Sequence, residues 1–443
     1  MRGEVGAGLT PGLAIDFASA FGTYTDGGKI IVGADTRFSS PMLTHAVCSA
    51  LMSCGCEVIS AGITSAPLMH FMVPHLEADG AILIGAGHHP AGWNALMPLA
   101  ANGAYFNSVQ MQQLLDIYHS HKYRNSDWKS IGKIVEIPRG VDDAYLEMIC
   151  SRLDIEAIRS MYFTVLADFC NGSGSCLAEN FASRLGIELI PINNSFTGIL
   201  PHDPEPRPRS SVQVKSIMRV LNAEAGFVFN SDASRMAVVT SSAETLSEEY
   251  TFPLVADQVL EKSEAGTGVV TNWCTTRTLD EIVESHKGNL FKTKVGQSPI
   301  IDRMIELNAG LGGEGSGSIA LGDSVKGFDG FMAMGLVLEA LATRKCSSAE
   351  LAERLPRYHI IKKKINCPSA HAYSLLKGLQ DKFSDAKFSE EDGLRFDWPD
   401  GWIHFRTSVT EPVIRMIVEW KTLEEANYRA DQMRGMLERL VWS

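Results

Sequence analysis

No stretch of this chain carries the roughly 18 consecutive apolar residues that a bilayer-spanning helix needs, and no basic segment followed by an apolar one opens it. Neither a membrane span nor a secretory leader is expected. Clustered positive charge is also scarce: a net charge of −12 and a pI near 5.5 leave no basic face of the kind that nucleic-acid binding draws on. The one short run, Lys362-Lys363-Lys364, reads as a solvated edge or turn. Paired cysteines are missing too, because the nine present are an odd number scattered over the whole length, which is no disulfide framework. Cys54 and Cys56 enclose a single residue and have no further Cys or His ligands nearby, so they read as buried thiols at a helix end rather than a metal site. These absences point to a cytoplasmic protein with neither nucleic acid nor membrane as partner.

What is present is bulk and repetition. A chain of 443 residues, 45% of them hydrophobic, is several times the usual domain size and should bury more than one core. Its first third alternates apolar strands with amphipathic helices: strands at Lys29 to Gly33, Glu57 to Ser60 and Ala81 to Ile84, and helices after Ser39-Ser40-Pro41 and from Ala66 to Val73. The same grammar restarts at Phe163 to Leu166, with a helix from Leu177 to Leu185 and a strand at Gly226 to Phe229. It restarts again at Gly268 to Thr271, with helices from Leu279 and around Pro299 to Leu307 and a strand at Lys292 to Val295. The last part has strands at Leu394 to Phe396 and Trp402 to Phe405 about an Asp400-Gly401 turn, then a helix from Leu423 to Leu440. The fold class expected is α/β, with three related α/β domains (1–140, 141–245, 246–350) and a C-terminal α+β domain (351–443) around a central cleft.

Each unit delivers one polar or Gly-rich loop: Ile84-Gly-Ala-Gly-His-His-Pro90, Asn230-Ser-Asp-Ala-Ser-Arg235, Gly313-Glu-Gly-Ser-Gly317 and Arg406-Thr-Ser-Val-Thr-Glu-Pro412. Loops at the carboxyl ends of strands are where α/β sheets place ligands. Taken alone, the Gly-rich loop reads as a flexible turn and Arg406 as a surface ion-pair residue; their joint order carries more. With Gly33-Ala-Asp-Thr-Arg-Phe-Ser-Ser-Pro41, Pro201-His-Asp-Pro-Glu-Pro206 and Thr293-Lys-Val-Gly296, the four loops resemble those of the α-D-phosphohexomutases over almost the whole length. That family comprises phosphoglucomutases, phosphomannomutases and phosphoglucosamine mutases.

The resemblance implies a cleft that handles sugar 1- and 6-phosphates with a phosphoserine, a Mg²⁺ held by three aspartates, a sugar loop and a phosphate loop. The family's serine loop usually reads Thr-Ala-Ser-His-Asn-Pro, which puts the phosphoserine on Gly87, with His88 and His89 beside it as tentative catalytic residues. Its three metal aspartates fall on Asn230, Asp232 and Ser234, so Asp232 is the one remaining carboxylate, and no cofactor beyond weakly held Mg²⁺ is expected. A lysine that follows the serine loop is replaced by Met97. Glu314 and Ser316 match the sugar-hydroxyl contacts, and Arg406, Ser408 and Thr410, with Arg415 nearby, match the phosphate loop. Arg37 and Arg235 keep family positions and join the substrate-binding set. The expected partner is a phosphorylated sugar or related phosphate ester. From the altered loops the expectation is a pseudoenzyme that has lost phosphoserine-dependent mutase activity and still binds phosphosugars. Its rivals are a repurposed enzyme using His88, His89 or Asp232 for elimination, isomerisation or hydrolysis, and a structural or regulatory partner of an active mutase.

Overall fold

A computed structural model describes residues 1–368, 379, 383, 385–407 and 412–441. Four sheets follow one another along the chain. The first contains β1 (Arg2–Glu4), β2 (Lys29–Ala34), β3 (Glu57–Ile63), β4 (Gly80–Ile84), β5 (Trp93–Ala100) and β6 (Ile134–Glu136), in the order β1-β5-β4-β2-β3-β6. The second contains β7 (Thr164–Asp168), β8 (Glu188–Ile192), β9 (Ala225–Phe229) and β10 (Met236–Thr240), in the order β10-β9-β7-β8. The third contains β11 (Gly268–Asn272), β12 (Asn289–Thr293), β13 (Leu311–Glu314) and β14 (Ser318–Leu321), in the order β12-β11-β13-β14.

These three sheets share one plan. Three parallel strands, such as β3-β2-β4, end in an antiparallel partner, β5, β10 or β14, joined to the third parallel strand by a hairpin. Ile30, Ile31 and Val32 are all buried because helices cover both faces of the parallel strands, which therefore read as unbroken apolar runs. Each such side chain contributes about 1.5–3 kcal/mol by leaving water. Helix starts are local too: at Pro11–Tyr24 the Thr10 hydroxyl accepts from the Leu13 N–H, and Pro11 opens the helix where a missing N–H costs nothing.

The fourth sheet is antiparallel throughout: β15 (His359–Asn366), β16 (Lys387–Ser389), β17 (Leu394–Trp398), β18 (Gly401–Thr407) and β19 (Val413–Trp420), in the order β15-β19-β18-β17-β16. The helix Leu423–Val441 packs on it through Ala426, Ala430, Met433 and Leu437, which recur at helical spacing on one face. The third unit's second strand runs Asn289–Thr293, earlier than the sequence pattern suggested, because Asn289 to Thr293 pair residue for residue with Gly268 to Asn272. Lys362 to Lys364 form part of β15, the edge strand of its sheet, with Lys362 and Lys364 exposed, so they are a solvated edge and not a turn. The nine cysteines are free thiols, with Cys54 and Cys56 buried. Among the described residues no helix is long and apolar enough to cross a membrane.

Candidate active site

The shared plan explains where the four loops go. In each α/β unit the loop is the hairpin linking the third parallel strand to its antiparallel partner: 85–92 between β4 and β5, 230–235 between β9 and β10, and 315–317 between β13 and β14. The fourth loop joins β18 to β19. The first three loops and the facing ends of β18 and β19 meet at a cavity of about 970 Å³ lined by Gly87, His88, Asp232, Ser234, Arg235, Glu314, Ser316, Arg406 and Arg415, among others. Ser408 and Thr410 lie outside the described residues.

The first two loops are locked to each other. Arg37 is 1% exposed and does not line the cavity; its guanidinium donates to Asp35, to the Ser231 hydroxyl (3.1 Å) and to the carbonyls of Gly87 (3.2 Å) and His89 (2.5 Å). The Ser231 hydroxyl also donates to the Gly87 carbonyl at 2.6 Å. Arg37, expected to meet ligand, is thus spent on holding loop backbone. His89 does not line the cavity either; it is half-buried, its ring against those of His88 and Trp93 and its Nε2 buried without a hydrogen-bond partner among the described residues. His88 does face the cavity. Burial, then Arg235 and the neighbouring His89, push its pKa far down, so the imidazole is neutral. Burial and Arg2 bring His89 down to about 4.

Gly87 has φ +50°, in the left-handed region that glycine enters at least cost. A Cβ there would come within 2.5 Å of Asp232 Oδ2. In the second loop Ala233 also lies in the left-handed region, at φ +59°, a strain that tightens the turn around Asp232. Asp232 Oδ1 accepts from Asn230 Nδ2 (2.8 Å), the Ser234 N–H (3.0 Å) and the Ser234 hydroxyl (2.6 Å), while Asn230 Oδ1 accepts from the Arg235 N–H (3.1 Å). A Mg²⁺ site needs oxygens that converge on an external point and carry enough negative charge. Here one carboxylate, an amide and a hydroxyl satisfy one another, and Asn230 does not line the cavity. No group of three or more His, Cys, Asp or Glu suited to a metal occurs among the described residues. This donor set does not fit the three-carboxylate site.

The other wall is built differently. Glu314 Oε2 accepts from Asn272 Nδ2 (2.9 Å) and Oε1 from the Ser316 hydroxyl (2.8 Å), which fixes the carboxylate at the cavity edge. Between them Gly315 passes so close to Glu249 that a Cβ would lie 1.7 Å from Oε2, so a larger residue there would have to displace the Glu249 carboxylate. Burial raises Glu249 to about 8, opposed by Lys362 at 2.6 Å. Arg406 and Arg415 stand directly opposite each other on β18 and β19. Like charges in that register are unfavourable unless an anion lies between or beside them. Asp392 Oδ1, 3.2 Å from Arg406 Nε, supplies part of the compensation. Arg235 links the walls, with Glu205 Oε1 at 3.3 Å and Glu314 Oε1 at 3.7 Å.

Arg2, Glu205, Arg207, Glu249 and Lys362 to Lys364 also line the cavity, and the sequence assigned none of them to the site. Glu205 lay inside the quoted Pro201 to Pro206 stretch with Arg207 just after it, so a signal existed there. Arg2 had none, because it reaches the cavity only through the pairing of β1 with β5. The lining is rich in Lys and Arg although the chain as a whole is acidic, which suits an anionic ligand.

Known proteins resemble the chain along its whole length. Residues 1–125, 143–243 and 247–358 match the models of phosphoglucomutase/phosphomannomutase alpha/beta/alpha domains I, II and III respectively. A phosphoglucomutase/phosphomannomutase of Thermococcus kodakarensis is 31% identical, covering 96% of this chain and 94% of its own length. A probable phosphoglucosamine mutase of Pyrococcus abyssi is 32% identical, covering 100% and 96%. Among solved structures, a phosphoglucomutase/phosphomannomutase family protein of Burkholderia thailandensis superposes with a TM-score of 0.87 at 26% identity, covering 99% and 96%. These relatives overturn the expectation of a pseudoenzyme, and with it the repurposed-enzyme and structural-partner rivals. Proteins about 30% identical from end to end are named as mutases, which points to mutase function and not to its loss.

Proposed function

The chain belongs to the phosphoglucomutase/phosphomannomutase family, and on that premise we propose that it interconverts the 1- and 6-phosphates of a hexose or hexosamine. The observation that carries this reading is the meeting of three hairpin loops and the facing ends of β18 and β19 at one cationic cavity, with a fixed carboxylate–hydroxyl pair on one wall and an opposed arginine pair on another. A phosphate at one end of the sugar is held by Arg406 and Arg415 through charge-assisted hydrogen bonds. Glu314 and Ser316 meet the ring hydroxyls, which both donate and accept. The opposite end of the sugar then faces His88, Asp232 and Arg235, where a phosphoryl group is given or taken. Because either end of the substrate fits the arginine pair, the sugar can turn over between two half-reactions without any change in the binding groups.

Glucosamine phosphate is the first substrate to test, since relatives that cover the whole chain are named as phosphoglucosamine mutases. Purified protein is incubated with glucosamine, glucose or mannose 6-phosphate plus a trace of the matching 1,6-bisphosphate, and phosphorus NMR follows the 1-phosphate. Its appearance with at least one sugar is expected. No interconversion with any of the three overturns the reading.

A further inference from the structure

A mutase needs a group that carries phosphate between the two ends of the sugar, and Gly87 offers none. We propose that Asp232 Oδ2 is the phosphoryl carrier, forming an aspartyl phosphate in the space that a side chain at position 87 would occupy. The proposal rests on the mutase reading above and deepens it.

Three observations place the carrier there. The Asp232 carboxylate stands where the loop side chain is missing, with Oδ2 at 2.5 Å and Cγ at 3.3 Å from the position of a Cβ on Gly87. Its two oxygens are unequally used: Oδ1 takes three hydrogen bonds from Asn230 and Ser234, whereas Oδ2 has no hydrogen-bond donor among the described residues. Finally, Asp232 lines the cavity while being only 7% exposed, so this oxygen is held, oriented and shielded from most water. The neighbouring nucleophiles are less well placed. The Ser234 hydroxyl is committed to Asp232 Oδ1, and His89 does not line the cavity. His88 remains, neutral and without a hydrogen-bond partner among the described residues. The misfit of the donor set to Mg²⁺ leaves the carboxylate to act on phosphorus itself, and carboxylates are established phosphoryl acceptors in other enzymes.

The chemistry closes. A sugar 1,6-bisphosphate primes the protein: an Oδ2 lone pair forms a bond to phosphorus, the P–O bond to the sugar breaks, and the sugar oxygen takes a proton from water. In turnover the 6-hydroxyl of a sugar 1-phosphate attacks the acyl phosphate. Its proton passes to water, and the electron pair of the breaking P–Oδ2 bond returns to the carboxylate. The bisphosphate turns over in the cavity, Oδ2 attacks the phosphoryl group at position 1, and the departing O1 takes a proton from water. The aspartyl phosphate is regenerated and a 6-phosphate is released.

The test uses the full chain and a sugar 1,6-bisphosphate radiolabelled in its phosphoryl groups. Label is expected on the protein with the behaviour of an acyl phosphate, removed by alkali and by neutral hydroxylamine. Borohydride trapping followed by peptide mass spectrometry should find homoserine at position 232. Asp232→Asn should take no label and lose interconversion by more than about a thousandfold, while melting and binding phosphosugar like the wild type. Interconversion with the label on His88 or on a hydroxyl overturns the carrier and leaves the mutase reading standing. So does an Asp232→Asn protein that keeps interconversion within about tenfold of wild type. Absence of both label and interconversion overturns the mutase reading and the carrier together. The trapping experiment on wild-type protein decides the matter even if Asp232→Asn fails to fold.

Discussion

The loops at 85–92 and 230–235 and the loops around 314–317 and 406–415 are the same kind of object, hairpins at the ends of sheets, yet they spend their polar groups in opposite ways. In the first pair the groups face each other: Arg37 binds loop carbonyls, Ser231 binds the Gly87 carbonyl, and Asn230 and Ser234 both serve Asp232. In the second pair cationic and hydroxyl groups face the cavity. The first pair's shape is fixed in part through the backbone carbonyls of Gly87 and His89, and the Asp232 carboxylate of the second loop lies against Gly87, where a Cβ would come within 2.5 Å of Oδ2.

The largest effect expected from this contrast is on stability. Arg37→Ala leaves Asp35, itself 3% exposed, buried without its partner and frees two loops at once. It should cost about 3–5 kcal/mol, whereas Arg406→Ala should cost roughly 1 kcal/mol or less. Urea unfolding of the two variants checks the difference, and equal costs would break the comparison.

Next is Gly87→Ser, which puts a side chain into the left-handed region and against Asp232 Oδ2. A destabilisation of about 1–2 kcal/mol and a fall in turnover of more than roughly tenfold are expected. A Gly87→Ser protein faster than wild type would show that the vacated space, and not Asp232, limits the reaction. For the opposite wall, Glu314→Ala should weaken binding of a sugar phosphate more than that of inorganic phosphate, since the carboxylate addresses hydroxyls. Parallel titrations of both ligands decide it.

The smallest expected effect is on pH dependence, and it appears in both regions. Burial, then Arg2, holds His89 near 4, and burial, partly opposed by a hydrogen bond with the Asp392 carbonyl, holds His404 near 4. Both are neutral when folded, while in the unfolded chain they titrate near about 6.5. The unfolded state therefore binds more protons as the pH drops through this window. The stability these residues support is complete above about 6.5 and is lost as the pH falls toward 4. Urea midpoints measured across that range should slope less steeply in His89→Gln and in His404→Gln; unchanged slopes in both would contradict the burial argument.

Much of the architecture was legible because the parallel strands are continuous apolar runs and the helices at Ser40–Ser53 and Ala66–His75 carry Pro in their first turn, although Ser39 makes no capping hydrogen bond. The strand Trp93–Ala100 was not, since Asn94 and Pro98 interrupt its apolar character and only pairing with β4 makes it a strand. The loops that meet at the cavity were legible as a set, yet which side chains face it was not. Arg37 and His89 look like ligand groups in the sequence, but the closeness of the first two loops turns Arg37 into a clamp, and packing on Trp93 within the first loop turns His89 into a stacked ring. Lys362 to Lys364 look solvated, and strand pairing with Arg415 to Ile417 brings them to the cavity. The reading of lost activity failed because it weighed single altered positions such as Gly87, whereas relatives about 30% identical from end to end are named as mutases.

The central claim is that one pair of loops binds and the other transfers. Isothermal titration of the non-reacting 1-deoxyglucose 6-phosphate against wild type, Arg406→Ala and Asp232→Asn tests it most directly. Arg406→Ala should bind about tenfold or more weakly, the equivalent of losing one charge-assisted hydrogen bond of roughly 1.5–3 kcal/mol, while Asp232→Asn should bind no more weakly than wild type. Affinity lost in Asp232→Asn and kept in Arg406→Ala would contradict the account.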